Sequence, residues 1–424
     1  MKKSIIVRGP FLSQSGYGEH TRFVLRALRQ REQEIDIYLL PTTWGQTGWL
    51  SENNEERRWI DERVNKTNDR LRAGQPFDIS VQVTIPNEWE NMAPINIGVT
   101  AGIETNKVSP VWLEKSNQMN KVITISEHSK QGFTSAAYNG TNKNTNEPVT
   151  LKMHAPIEIV GYPVKTFDSL PDLDLNLEYD FNYLAIAQWG PRKNLHNIVK
   201  WFVEENIDQE VGLVLKTSIK NNSIVDKEYT EFMMKSILDH YPDRKCKVYL
   251  LHGDMSEPEL HALYSHDKIK SFVSLSHGEG FGLPIFEAAY SGLPIICPGW
   301  SGQNDFIYAP TKDKKNKKKT RLKPYFASVE FGIKPIPEDA VWEGVLEKNT
   351  MWCFPKEGSY KMRLRQVRND YSKWKKKADY LKKWVCEEFA EERMLGKMAD
   401  LIVPESISSE EVDNLFSKML EVQT

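Results

Sequence analysis

The sequence predicts an α/β protein of two domains, each built on a wound sheet of the Rossmann kind. Three observations predict it. At 424 residues the chain is too long for one ordinary core. Strand–loop–helix–strand units occur in both halves, at Ser4 to Leu40 and again at Ser271 to Cys297. Between the halves, Thr166-Phe167-Asp168-Ser169-Leu170-Pro171-Asp172-Leu173-Asp174 begins a polar, acidic stretch that reads as a linker. The expected division is a first domain at 1–167, a linker at 168–180 and a second domain at 181–385.

The first unit opens with the buried strand Ser4-Ile5-Ile6-Val7 and the loop Gly9 to Gly18. A helix from Glu19 to about Gln30 follows, with Phe23, Val24, Ala27 and Leu28 on one face, then a strand at Ile35 to Leu40. The loop reads G-x-G-x-x-T and lacks the third glycine of a dinucleotide fingerprint, which argues against a classical NAD site. Further strands are expected at Ile79 to Val83 and Ile95 to Val99, the latter ending in Gly102-Ile103-Glu104-Thr105. The strand Val122 to Ile125 runs into a helix with Ser126 near its cap and His128 in its first turn. Ala136 to Asn146 is polar and reads as a surface loop.

The second domain begins with the strand Tyr183 to Ala187, then Gln188-Trp189-Gly190-Pro191-Arg192-Lys193-Asn194-Leu195 and a helix. A helix start next to two cations suits an anion such as a pyrophosphate. Strands at Val211 to Leu215, ending in Lys216, and at Val248 to Gly253 follow. Tyr360 to about Leu401 is strongly helical, with Tyr371, Trp374, Leu381, Trp384 and Phe389 as candidate buried positions. Lys312 to Lys323 is a dense basic run, by default a solvated loop.

Composition narrows the function classes. Hydrophobic content of 40% and charged content of 27% fit a globular protein, and a net charge of −2 gives no global field for nucleic acid. Cys246, Cys297, Cys353 and Cys386 are scattered without C-x-x-C spacing, which fits a reducing compartment. The N-terminal apolar run is too short for a signal peptide and no stretch approaches a membrane span, so a cytoplasmic protein without integral membrane contact is expected. If the chain is viral, that means the host cytoplasm. Asp172-Leu173-Asp174 spells D-x-D but lies in the linker, away from any strand, so no metal site is expected.

The chemistry concentrates in Ser276-His277-Gly278-Glu279-Gly280-Phe281-Gly282-Leu283-Pro284-Ile285-Phe286-Glu287-Ala288. Two carboxylates eight positions apart flank a glycine-interrupted turn that opens a helix. In open α/β sheets, ligands bind at that end of the strands. Glycines permit close backbone approach, and the helix start offers N–H groups to an anion. A plain surface helix with acids at its start would leave the Gly-Phe-Gly turn without a reason.

This stretch, continued by Gly292-Leu293-Pro294-Ile295-Ile296, resembles the E-x7-E motif of retaining glycosyltransferases with the GT-B fold, in particular glycosyltransferase family 4. The resemblance implies two Rossmann-like domains facing a cleft, with a terminal segment, residues 386–424, crossing back to the first. It implies a nucleoside-diphosphate sugar as donor, a UDP-sugar first among them, with no further cofactor. By the same resemblance Gly16 and Gly18 approach the donor phosphates and sugar. Arg192 and Lys193 stabilise the departing diphosphate, and Glu287 binds the ribose. Glu279, with the N–H groups of Gly280, Phe281 and Gly282 and with Leu283 beside them, holds the sugar. Many members carry an arginine where Gln188 stands, a gap that Lys216 is placed to fill. Glu104, Ser126 and His128 fall on the acceptor side.

Alternatives remain open at this point. One is another enzyme on the same fold, such as an epimerase or phosphorylase; another is a nucleotide-sugar binding protein without turnover. The acceptor is a hydroxyl, on a glycan or similar molecule. The basic run at 312–323 also admits DNA carrying a hydroxymethylated pyrimidine, which would have to be flipped.

Overall fold

The computed structural model describes residues 2–45, 47–50, 53–141, 146–312 and 320–403. Its first sheet comprises β1 (Lys3–Gly9), β2 (Ile35–Pro41), β3 (Ile79–Val83), β4 (Ile95–Val99), β5 (Lys121–Thr124) and β6 (Ile157–Ile159). All pairings are parallel, in the order β2-β1-β3-β4-β5-β6. Ile5 lies opposite Ile37 on one side and Ile79 on the other, and both faces are buried, as parallel sheets require. The helix Gly16–Arg29 covers one face with Phe23, Val24, Ala27 and Leu28.

The second sheet comprises β7 (Asn182–Ile186), β8 (Gly212–Lys216), β9 (Lys247–Leu251), β10 (Ile269–Val273), β11 (Ile295–Pro298) and β12 (Ala327–Val329). It is also wholly parallel, in the order β9-β8-β7-β10-β11-β12. Strand order reverses between β7 and β10, the switch point at whose carboxyl-end crevice open α/β sheets bind ligands. In the first sheet the reversal lies between β1 and β3, beside the glycine-rich loop. The two-domain Rossmann-like expectation therefore holds in both halves.

The C-terminal stretch is helical as expected, divided into three helices: Glu357–Asn369, Tyr371–Glu388 and Glu391–Ile402. The backbone leaves the helical region at Asp370 (ψ 36°) and Ala390 (ψ 140°), which reorients each successor. The last helix packs on Gly16–Arg29 in the first domain, with Arg31 pairing to Asp400 at 2.9 Å and Lys121 Nζ donating to the Leu401 carbonyl at 2.8 Å. The chain thus crosses back as expected, up to Val403. Trp374, Leu381 and Phe389 are buried, while Tyr371 and Trp384 are partly so.

Two polar stretches differ from the simple loops expected of them. Ala137–Thr141 pairs antiparallel with Pro148–Lys152, and Tyr308–Lys312 pairs with Thr320–Pro324. The middle of the basic run, residues 313–319, lies outside the described residues, as does the stretch 404–424. Among the described residues no helix is long and apolar enough to cross a membrane.

Candidate functional site

The crevice of the second sheet gathers its charges from two loops. After β7, Gly190 leads into the single turn Pro191–Lys193, and Asn194 turns the chain through a left-handed conformation (φ 57°) into the helix Leu195–Glu205. After β10 comes the loop carrying Glu279. The two loops are tied by His277 N–H donating to the Arg192 carbonyl at 2.8 Å and by Arg192 Nη1 donating to the Gly278 carbonyl at 2.7 Å. Between them Glu279 accepts from Lys193 Nζ at 2.5 Å and from Arg192 Nη1 at 3.1 Å. Arg192 Nη2 also reaches Glu104 of the first domain at 3.2 Å. Two cations therefore face two carboxylates, one from each domain.

Glu279 is only 8% exposed. Burial alone pushes its carboxyl up, but Lys193 and Arg192 outweigh burial and hold it at about 2. Burial and the Arg192 charge pull Lys193 below the ordinary lysine range, against the pull of Glu279. The backbone of Glu279 is fixed from behind: its N–H donates to Ser301 Oγ at 2.9 Å, and Gly302 N–H donates to its carbonyl at 2.9 Å.

The glycines of this loop let the two domains touch. A Cβ on Gly278 would stand 1.9 Å from the Glu104 carbonyl oxygen, and one on Gly280 would stand 2.3 Å from that of Ala101. Ser126 caps the helix Glu127–Thr134 and donates from its hydroxyl to the Gly280 carbonyl at 2.6 Å. Glu104, Ser126 and the Glu279 loop are thus brought together. His128 lies next to them, its ring edge-on to Trp300 at 5.0 Å. Its buried Nε2 has no hydrogen-bond partner, and burial lowers its pKa to about 4, so the ring is neutral at neutral pH.

Other expected site residues are placed elsewhere. Glu287, on the helix Leu283–Ser291, shares no partner with Glu279; it accepts from the Tyr264 hydroxyl at 2.8 Å, and burial raises it to about 7. Lys216 Nζ donates to the Gly253 carbonyl, and the Gln188 amide donates to the Ile219 carbonyl at 2.6 Å. Gly18 is sterically required, since a Cβ there would meet the Ser13 carbonyl oxygen at 2.0 Å, but its N–H is taken by the Ser15 hydroxyl at 3.0 Å. Gly16 borders open space. Gly282 takes φ 95° to start the helix at Leu283. The Phe281 ring turns away from the crevice, into a cluster with Tyr162, Phe286 and Phe306.

Three residues at the site escaped the sequence reading. Ser301, at φ 75°, backs Glu279; its signal is its position before Gly302 in a short loop. Trp300 carries the His128 contact. Tyr17 bonds Thr100 Oγ1 at 2.9 Å and accepts from Ala101 N–H at 3.2 Å, joining the glycine-rich loop to the end of β4. No local pattern announces that last contact, because its partners are 83 and 84 positions away.

No protein-family model matches the chain. A stretch of 118 residues, 27% of the chain, is 30% identical to the serotype-specific mannosyltransferase WbdA of Escherichia coli, and it spans 13% of that protein's length. Three solved structures resemble nearly the whole chain. HepE of Anabaena, in complex with UDP and glucose, matches with TM-score 0.55 and 12% identity over 94% of this chain and 99% of its own. Sucrose-phosphate synthase of Thermosynechococcus elongatus matches with TM-score 0.58 and 12% identity over 94% and 98%. A glycosyltransferase of Rickettsia africae matches with TM-score 0.55 and 13% identity over 96% and 100%. The fold is that of the GT-B glycosyltransferases.

Proposed function

We propose that this chain is a retaining glycosyltransferase that moves a hexose or related sugar from a nucleoside-diphosphate sugar to a hydroxyl acceptor, a glycan or similar molecule. One observation carries the reading. Arg192, Lys193 and Glu279 meet at the switch point of the second sheet, directly under Glu104 of the first domain.

In this reading the donor diphosphate takes the place of the carboxylates as partner of Arg192 and Lys193. The bond from the anomeric carbon to the phosphate oxygen breaks, and negative charge grows on that oxygen. Preorganised donors aimed at such charge are typically worth about 3 kcal/mol each. Glu279, released from the cations, accepts from a sugar hydroxyl. The acceptor oxygen attacks from the side of the leaving group, and its proton passes to the departing phosphate, so the anomeric configuration is retained. Glu287 serves the ribose, Lys216 adds a third cation at the diphosphate, and the Gly16 loop borders the sugar. His128, neutral and unpartnered at Nε2, offers an acceptor-side contact. The cations do the work a metal does elsewhere, and no metal is assigned. UDP is the first choice of carrier, because it occupies HepE.

The test is nucleotide release from a panel of UDP-, GDP- and ADP-sugars, with the Lys193→Met variant alongside. The expectation is release from one donor and a loss of about 100-fold or more in the variant, the scale of one lost transition-state donor. Release from none of the donors, or equal release by the variant at saturating donor, would overturn the proposal.

A further inference from the structure

The net charge of −2 conceals one strongly basic face. The helix Tyr371–Glu388 carries six lysines, and its contacts divide them into two sets. Lys375 donates to the Gly292 carbonyl at 2.9 Å and pairs with Asp379 at 2.6 Å, while the Lys382 stem lies against Gly292. These two lysines face the second domain. On the opposite side, the Tyr380 hydroxyl donates to the Pro310 carbonyl at 2.8 Å, and its ring stacks on Tyr325 at 4.5 Å. This pins the helix to the hairpin Tyr308–Lys312/Thr320–Pro324.

Helical periodicity puts Lys373, Lys376 and Lys383 one or two turns from Tyr380 on its own side. All three are exposed, as are Lys312 and Lys323 on the hairpin that Tyr380 holds. Among the acids of that helix, Glu387 alone falls on this face. Lys377 nearby feels the crowding: burial, Lys373 and Arg363 all push it below the ordinary lysine range.

We propose that this face binds the phosphate backbone of duplex DNA without reading its sequence. Ammonium groups are point charges suited to phosphate oxygens, and such contacts position a duplex without specifying bases. From Lys373 to Lys383 the helix rises about 15 Å, along which a duplex presents about nine phosphates. Stable docking to an anionic bilayer adds an inserted apolar face to the charge attraction. Leu322 protrudes, at 69% exposed, but Tyr325 and Tyr380 are engaged with each other. The inference stands apart from the proposed transfer reaction and is tested without any sugar donor.

The experiment is fluorescence anisotropy of a labelled 30-base-pair duplex with the full chain, from about 50 to 200 mM salt. Five lysines predict a slope of log affinity on log salt near −4.5, so binding weakens about 500-fold across that range. K373Q/K376Q/K383Q should lower the slope magnitude by about three and keep the wild-type circular dichroism melt. No binding at the lowest salt, or the same affinity and slope in the triple variant, would overturn the proposal. So would loss of phosphatidylglycerol-vesicle binding in that variant when wild type binds vesicles but no duplex.

Discussion

Replacing Glu279 by Gln removes the one carboxylate that both Arg192 and Lys193 share. The cost follows from its titration. A carboxyl held at about 2 instead of its ordinary 4.5 contributes about 3 kcal/mol to stability at neutral pH. Its folded pKa lies below the unfolded one, so the contribution is fully present above about pH 4.5 and is lost as pH falls toward 2. Arg192 keeps Glu104 and the Gly278 carbonyl in the variant, but Lys193, largely enclosed at 19% side-chain exposure, loses its carboxylate. Leaving a buried charge unpaired costs about 3–5 kcal/mol, which agrees with the first figure. At about 2–4 °C per kcal/mol for a unit of roughly 200 residues, E279Q should lower the melt of the second domain by some 6–12 °C at pH 7. That gap should shrink by about half between pH 4.5 and 3, on the way to closing near pH 2, and the added change Lys193→Met should recover part of it. The assay is thermal melting followed by intrinsic fluorescence from pH 3 to 8. Equal melting temperatures at pH 7, or a gap that does not shrink on acidification, would refute the electrostatic reasoning.

Glu287 should respond with the opposite sign. Burial raises its pKa to about 7, so the folded protein binds this proton more tightly and loses stability as pH rises from about 4.5 to 7. E287Q is expected to melt higher than wild type at pH 8 yet to raise the KM for donor; a lower melt with unchanged KM would contradict both halves. Gly280→Ala should destabilise the domain contact by several kcal/mol, because its Cβ meets backbone 2.3 Å away, whereas Gly16→Ala, facing open space, should fold normally; circular dichroism melts compare them.

Much of this was legible in the residues because it is local. Apolar runs bounded by glycine and proline marked β1 to β5 and β7 to β11, and the glycines around Glu279 marked the loop at the second switch point. The pair Arg192 and Lys193 followed from its place between a strand and a helix. What the sequence could not show is the pairing across the domains. That Glu104 would reach Arg192, 88 positions on, depends on how the two sheets face each other, and no spacing rule encodes that. Lys216 illustrates the same limit. Its place at the end of β8 was evident, but the ammonium group turns to the Gly253 carbonyl, a partner supplied by the neighbouring strand's loop. The helix Tyr371–Glu388 lies within the stretch read as helical, but its bounds at Asp370 and Ala390 were not legible, because neither residue breaks a helix by composition alone.

The most direct test of retention needs no acceptor. Proton NMR of slow donor hydrolysis, with UDP-glucose as the first donor, reports the anomer of glucose released before mutarotation. The account predicts that α-glucose appears first and that Lys193→Met suppresses its release. The β anomer appearing first, or no difference between wild type and variant, would contradict it.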